Sequence, residues 1–235
     1  IAPIDAERLL VTHDSSARLM DPRDGRFISE QSWVEVIAKS AILVGDEVRV
    51  ATAGRVGGEP LGALVQAGAG HETFREMAAM RRIATLSRDR MIGARTGLGL
   101  NYWESSVADP VRVIDVQLTD LAVRDDVAVA LTDAPRTLVS FDVGNDPVEL
   151  GRCAVPSTLA VALGAVPAGW REPLVYAVSP TAIVAYRVSD CAILAAYAAP
   201  QSELTHAAAS GDGRFIAAGT REGTVLVWHT DGPLA

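Results

Sequence analysis

The sequence predicts an all-β protein built from repeated small antiparallel sheets, and three observations support this prediction. Residues 211–232 (GDGRFIAAGTREGTVLVWHTDG) contain two apolar segments separated by a polar turn, which is typical of a β-hairpin. The same pattern recurs along the chain, and glycine and proline cluster between the apolar segments, where they favour turns. An isolated hairpin is only marginally stable in water, so the repeats are expected to pack against one another.

Each repeat contains an apolar strand, a polar turn and a second apolar strand that ends in a large residue. These end residues are Met20, Val50, Trp103, Phe141, Tyr186 and Trp228. Their spacings of 30, 53, 38, 45 and 42 residues average 41.6. A period of about 40 to 45 residues is typical of a four-stranded propeller blade. The two uneven intervals flank the weakest copy, at Val50, which indicates that this copy is misplaced rather than that the repeat is lost.

The predicted architecture is therefore a β-propeller of about six to seven four-stranded blades, incomplete at the chain ends, with another β-sandwich or barrel as the alternative. Residues 1–235 are predicted to form a single propeller domain. Its approximate blades are 1–32, 33–69, 70–115, 116–152, 153–200 and 201–235. One stretch departs from the strand pattern: residues 70–82 (GHETFREMAAMRR) place Phe74 and Met77 at helical spacing, which predicts a short helical insertion before a strand resumes at Met80.

The C-terminal copy contains four short motifs in a fixed order. They are SGDGR at 210–214, AAGT at 217–220, EG at 222–223 and VLVWH at 225–229. This copy resembles a WD40 repeat, with His229 in place of the aspartate that usually follows the tryptophan, and residues 83–104 resemble it more loosely. The internal hydrogen-bonded set of that family is not assembled in any copy. The resemblance therefore implies a degenerate WD40-like propeller whose rigidity comes mainly from apolar packing between blades.

The resemblance also implies a non-catalytic interaction scaffold or sensor module that binds a protein or peptide, in signalling, as part of a larger bacterial protein. Lys39 is the only lysine beside many arginines, and together with the abundant Ala and Val this favours a bacterial origin. No cofactor is expected. Two alternatives stay open: a Ca²⁺-dependent hydrolase of the propeller lactonase or phosphatase type, with channel carboxylates, and a carbohydrate-binding propeller.

A loop at residues 166–173 (VPAGWREP) is the first candidate for a partner surface. Exposed Trp and Arg are the residues most enriched in binding hot spots, and this loop contains Trp170 and Arg171. The alternative is that Trp170 folds back onto the blade. Arg95 and Arg221 are predicted at strand-end turns, where they could extend the same surface. In contrast, Met20, Trp103, Phe141, Tyr186 and Trp228 are predicted to be structural residues that fix the third strand of each blade.

Catalytic and metal sites are not predicted. The acidic pairs Asp125–Asp126, Asp46–Glu47 and Asp21 with Asp24 fall in predicted turns, where solvated charge is expected. The four histidines show no ligand spacing such as HxH or HExxH; they are His13, His71, His206 and His229. The glycines at 96–101 (TGLGLN) lack the lysine and helix of a phosphate loop and are predicted to form a turn.

Composition limits the possible partners. The formal net charge of −8 argues against a general nucleic-acid surface, which needs clustered cations. No apolar run reaches the length of about 18 residues that a membrane span requires, and the N-terminus lacks the pattern of a secretory signal. Without such a signal, Cys153 and Cys191 are expected to be buried, reduced thiols, with one disulfide between them as the alternative. A cytoplasmic location is therefore expected.

Overall fold

The computed structural model describes residues 2–3, 9–13, 16–32, 36–44, 47–56, 59–68, 71–77, 80–86, 90–95, 99–104, 112–167, 169–170, 172–199 and 201–230. Within these residues all regular structure is β-strand, which confirms the predicted all-β class. The described part contains no helix with the length and hydrophobicity of a membrane span. The chain divides into two compact units, Ile1–Gln117 and Leu118–Ala235.

The first unit contains three antiparallel sheets of four strands, each with its strands in chain order. Sheet 1 comprises β1 (Ala2–Pro3), β2 (Leu9–His13), β3 (Ser16–Met20) and β4 (Phe27–Ser32). Sheet 2 comprises β5 (Val36–Val44), β6 (Glu47–Val56), β7 (Glu59–Gly68) and β8 (His71–Met77). Sheet 3 comprises β9 (Met80–Thr85), β10 (Arg90–Arg95), β11 (Gly99–Glu104) and β12 (Arg112–Ile114).

The second unit continues the pattern with three more antiparallel sheets. Sheet 4 comprises β13 (Leu118–Arg124), β14 (Val127–Thr132), β15 (Thr137–Asp142) and β16 (Val148–Ala154). Sheet 5 comprises β17 (Ala160–Leu163), β18 (Val175–Val178), β19 (Ala182–Arg187) and β20 (Ala192–Ala198). Sheet 6, as described, has three strands: β21 (Leu204–Ala209), β22 (Phe215–Thr220) and β23 (Val225–His229).

Neighbouring sheets of the second unit meet along their first strands. Strand β17 contacts β13 on one side and β21 on the other. A buried side chain joins two of these strands, because the Val161 backbone N–H donates a hydrogen bond to Asp120 Oδ2 at 3.0 Å. Asp120 is only 5 % exposed, so this hydrogen bond forms away from bulk solvent. The first strands are therefore the inner strands of adjacent sheets.

Apolar packing fills the spaces between these sheets. Sheets 4 and 5 share a cluster that includes Leu131, Leu138 and Val175, all fully or almost fully buried. A second cluster, between sheets 5 and 6, includes Ile183 and Ile216. Each such side chain contributes about 1.5 to 3 kcal/mol when fully buried. Because both faces of the strands are covered, segments such as VAVALT in β14 are continuously apolar rather than alternating.

Two predictions about the first unit are wrong. Val50 lies in β6, the second strand of sheet 2, whereas the other predicted end residues lie in third strands. The residue at the end of the third strand of sheet 2 is instead Ala67, next to the last residue of β7. The spacing from Met20 to Ala67 is 47 residues, and that from Ala67 to Trp103 is 36 residues. The predicted helix at 70–82 is instead β8 followed by β9, although the strand start at Met80 is confirmed. Residue-by-residue pairing of β8 with β7 overrides the local helical preference of Glu, Met and Ala.

The predicted blade boundaries mostly fall between sheets. Those after residues 32, 115 and 200 separate consecutive sheets. The boundary after residue 69 instead divides β7 from β8 of one sheet, and the boundary after residue 152 falls inside β16. The single domain over 1–235 and the number of blades stay predictions.

The predicted state of the cysteines is wrong, because Cys153 and Cys191 form a disulfide with their Cα atoms 5.4 Å apart. Cys153 is buried in β16, whereas Cys191 is exposed in the turn between β19 and β20. The bridge therefore joins the fourth strand of sheet 4 to the third turn of sheet 5. The 38-residue separation along the chain gives no hint of this proximity, which only the packing of the two sheets produces.

Candidate functional site

One end of sheet 5 gathers two connections, because successive antiparallel strands place their first and third turns at the same end. The connection from β17 to β18 spans residues 164–174, and the turn from β19 to β20 spans 188–191. In sheet 4, β16 begins at this end, after the turn at 143–147. These segments surround a cavity.

The cavity has a volume of about 450 Å³ and lies between sheets 4 and 5. We call it the Trp170 cavity. Its lining residues are Leu150, Gly169, Trp170, Glu172, Arg187 and Ser189. The lining thus combines apolar, aromatic, acidic and basic groups.

The 164–174 connection is held in place by its own backbone hydrogen bonds. Gly164 N–H donates to Leu174 O at 2.8 Å, which closes the base of the loop. Near its tip, Trp170 N–H donates to Pro167 O at 3.0 Å, and Gly169 adopts a φ of 81° that favours glycine. The half-buried Trp170 ring packs against the apolar cluster between sheets 5 and 6. The ring is therefore fixed at the cavity wall.

Arg187 is held beside Trp170 by a two-point ion pair. Its Nε and NH2 groups donate to Asp190 Oδ1 and Oδ2 at 2.8 and 2.5 Å. The hydrogen bond from Arg187 lowers the pKa of Asp190, so the pair stays ionised at neutral pH. The guanidinium carbon lies 4.9 Å from the centre of the Trp170 ring, within the range of a cation–π interaction.

Glu172 is the most buried charged residue of the cavity lining, with 8 % of its surface exposed. Its Oε1 accepts a hydrogen bond from Ser189 N–H at 3.3 Å. Its Oε2 is buried and accepts no hydrogen bond from any residue that the structure describes. Buried carboxylate oxygens normally accept hydrogen bonds, so the incomplete hydrogen bonding of Glu172 makes it a candidate ligand-binding group.

The predicted partner residues are only partly brought together. Trp170 lies at the cavity, whereas Arg171 lies outside the described residues. Arg221 follows β22, at the opposite end of its sheet from the first turn, and pairs with Glu203 at 2.9 Å. Arg95 ends β10 of sheet 3, in the first unit. The structure therefore groups Trp170 with Glu172 and Arg187, neither of which was predicted from the sequence. The position of Glu172 two residues after Trp170 was the sequence feature that could have indicated it.

The five predicted structural residues all lie in third strands of their sheets. Phe141 is buried, and Met20 is half-buried. Tyr186 packs on the cluster between sheets 4 and 5, and Trp228 on the cluster between sheets 5 and 6. For Trp103 only the position in β11 is described, and its side chain is not. Their contribution to stability stays a prediction.

The acidic pairs that are described lie in turns, as predicted. Asp125 and Asp126 connect β13 to β14, and Asp21 and Asp24 lie between β3 and β4; Asp46 is outside the described residues. In the part of the chain that the structure describes, no three His, Cys, Asp or Glu residues converge as a metal site would require. Of the glycines at 96–101, Gly99 begins β11, and Gly97 lies outside the described residues, so the predicted turn stays a prediction.

Asp21 accepts hydrogen bonds within its turn, and we predict that its carboxyl group has a low pKa. Arg23 donates to both carboxylate oxygens, at 3.0 and 2.7 Å, and these hydrogen bonds lower the pKa of Asp21 to about 2. Because this value lies below the unfolded 3.8, the ionised group stabilises the fold above about pH 4, and the effect is lost as pH falls through about 2. Arg23→Gln is expected to raise the midpoint toward 3.8, measured by carboxyl ¹³C NMR.

The matched control for this titration is Arg26→Gln, since Arg26 contributes only weakly to the pKa of Asp21. This variant should leave the midpoint nearly unchanged. A midpoint close to 3.8 in the native protein would contradict the hydrogen bonding described for the turn.

Comparisons with known proteins give similarity in structure but not in sequence. No family model matches the chain, and no curated protein matches it. The β-propeller domain of Cps50 (Swd1) from Myceliophteria thermophila is similar, with 14 % identity and a TM-score of 0.76 over 95 % of this chain and 80 % of that chain. A chain of a mitotic checkpoint complex structure is similar at 10 % identity and TM-score 0.76, over 98 % of this chain and 73 % of that chain. With the repeated four-stranded antiparallel sheets, these likenesses establish that the protein has the fold of a WD40-like β-propeller.

Proposed function

We propose that this protein is a non-catalytic interaction module that binds a protein or peptide at the end of sheets 4 and 5 where the Trp170 cavity opens. The observation on which this rests is the cavity itself, where a fixed aromatic ring adjoins a buried carboxylate without a complete set of partners. Such a mixture of apolar surface and a few convergent polar groups is typical of binding sites. One structurally similar chain belongs to a complex, which supports a role in protein association.

The fold itself favours this role. The loops at the sheet ends rest on strands that pack tightly against their neighbours, so a partner meets a preformed surface. Preformed surfaces lose little conformational entropy on binding. A scaffold or signalling role within a larger bacterial protein is part of the same proposal.

A selection from a displayed library of proteome-derived peptides tests the proposal. Immobilised protein should enrich peptides that bind the folded chain and do not bind the urea-unfolded chain. Trp170→Ala is expected to weaken these peptides about tenfold, because central tryptophans dominate binding energy in many interfaces. Affinities are measured by fluorescence polarisation.

Leu159→Ala is the control for this selection, since Leu159 is also apolar but is exposed and precedes β17 at the opposite end of sheet 5. It should leave the affinity of the selected peptides unchanged. Failure to enrich any peptide, or equal losses in the two variants, would argue against a partner surface at the Trp170 cavity.

The cytoplasmic location stays a prediction, and the disulfide gives a way to test it. Disulfides persist in oxidising compartments and are rare in the cytoplasm. Protein taken from cells directly into denaturant with an alkylating reagent should have two modified thiols if it resides in a reducing compartment, because the denaturant also exposes the buried Cys153. Absence of modification would locate the protein in an oxidising one.

A further inference from the structure

We infer that the Trp170 cavity binds the side chain of an arginine or lysine from a partner peptide, with the Glu172 carboxylate as its acceptor. The inference rests on the proposed function and specifies the chemistry that the site recognises. It depends on three features of the cavity: the incomplete hydrogen bonding of the Glu172 carboxylate, the negative charge of that group, and the apolar surface around it.

The first feature is the hydrogen bonding of Glu172. One carboxylate oxygen accepts from the Ser189 backbone, whereas Oε2 has no donor among the described residues although it is buried. A buried acceptor without a donor is unfavourable, and a ligand N–H would correct this. Ammonium and guanidinium groups supply charge-assisted hydrogen bonds, which are stronger than those between neutral groups.

The second feature is the sign of the charge. Arg187, the basic residue in the described lining, already donates two hydrogen bonds to Asp190. Among the described residues Glu172 has no ion-pair partner at salt-bridge distance, although, after the hydrogen bond to Asp190, its charge contributes to the raised pKa of Arg187. A cationic side chain would balance that charge, and an anionic one would be repelled.

The third feature is the apolar surface around the acid. Trp170 and Leu150 line the cavity and can contact the aliphatic part of an arginine or lysine side chain. The volume of about 450 Å³ falls in the lower part of the range for ligand sites, which is about 300 to 1,000 Å³. One extended side chain is therefore a suitable occupant.

A peptide is favoured over a small free amine by the surface next to the cavity. Val148 is 57 % exposed and lies two residues before Leu150 in β16. Val166 is 41 % exposed in the same connection as Trp170. These apolar groups can contact the residues of a peptide that flank the basic side chain, whereas a free amine would leave them in water.

The test uses single-residue probes and the native chain. Nα-acetyl-arginine amide, Nα-acetyl-lysine amide and Nα-acetyl-citrulline amide are titrated while the ¹H–¹⁵N indole resonance of Trp170 is followed, after assignment by its loss in Trp170→Phe. Arginine or lysine amide should shift this resonance in a saturable manner. The uncharged citrulline amide, which has nearly the same shape as the arginine probe, should bind at least about tenfold more weakly.

Glu172→Gln should abolish the saturable shift while it keeps an oxygen acceptor for Ser189 N–H. Its spectrum shows directly whether the variant is folded. Glu203→Gln is the matched control, because it removes the same charge from a residue that pairs with Arg221 away from the cavity. This control should bind the probes as the native protein does.

The inference is overturned if citrulline amide binds as well as arginine amide, if folded Glu172→Gln binds like the native protein, or if none of the probes shifts the Trp170 resonance. Its failure is distinct from failure of the proposed function. Selected peptides that lack a basic residue yet depend on Trp170 would leave the interaction role intact. If the cationic probes bind but the selection yields no peptide, the inference of a cation-binding cavity stands and the proposed role in binding a protein or peptide is refuted.

Discussion

Cys191→Ser is expected to lower the free energy of unfolding by about 4 kcal/mol, the chain-entropy value for a bridge between residues 38 apart. The bridge restricts the conformations of the unfolded chain, and it also joins the fourth strand of sheet 4 to the third turn of sheet 5. Cys191 is the better site to change, because its side chain is exposed and Cys153 can stay in the core as a small apolar group. Urea unfolding followed by circular dichroism measures the change.

The native protein in dithiothreitol supplies the matched control. Reduced native protein should unfold at nearly the same urea concentration as the variant, and dithiothreitol should not affect the variant further. A native protein whose unfolding is insensitive to reductant, or two thiols that react with Ellman's reagent without reductant, would contradict the bridge between the two sheets.

Gly151→Ala is expected to destabilise the protein by about 3 kcal/mol, the upper end of the usual cost of overpacking. A Cβ atom at residue 151 would lie 2.8 Å from the Val188 carbonyl carbon and 2.9 Å from Ser189 Cα. These atoms belong to the backbone of the next sheet, so a side-chain rotation cannot relieve the clash. The expected result is a lower urea midpoint with the native disulfide intact.

Gly211→Ala is the control for this prediction. Gly211 lies in the turn between β21 and β22, and a Cβ atom there would meet no heavy atom within 4 Å. Its stability should be unchanged or slightly raised, because alanine restricts the unfolded chain. If the two alanine variants are equally stable, sheets 4 and 5 do not approach as closely as described.

The two changes act at adjacent places in the same contact between sheets, but through different states. Loss of the bridge acts largely on the unfolded chain, whereas the added methyl group at residue 151 acts on the folded one. Their effects on the Trp170 cavity also differ. Ser189 lies both beside Gly151 and in the cavity lining, so Gly151→Ala should also weaken probe binding. The Cys191 variant should leave probe binding unchanged, because Cys191 does not line the cavity.

The amino-acid sequence determined the class of fold through local patterns. In the segment from Phe215 to His229, apolar residues and a turn with Gly223 specify a hairpin directly, and the strands are found there. The same pattern placed Phe141, Tyr186 and Trp228 in third strands. These predictions succeeded because strand, turn and burial preferences depend on neighbours a few residues away.

Tertiary structure alone decided what depends on pairing between distant segments. Residues 71–77 have helical preferences but form β8 because β7 offers a full row of backbone partners. Cys153 meets Cys191 only because two sheets pack side by side. Glu172 approaches Ser189 and Arg187 because the first and third turns of sheet 5 lie at the same end of that sheet. Close contacts between sheets arise from the geometry of packed surfaces, which the order of residues along a single strand does not encode. The repeat therefore defines the sheets, and the packing between sheets defines the site.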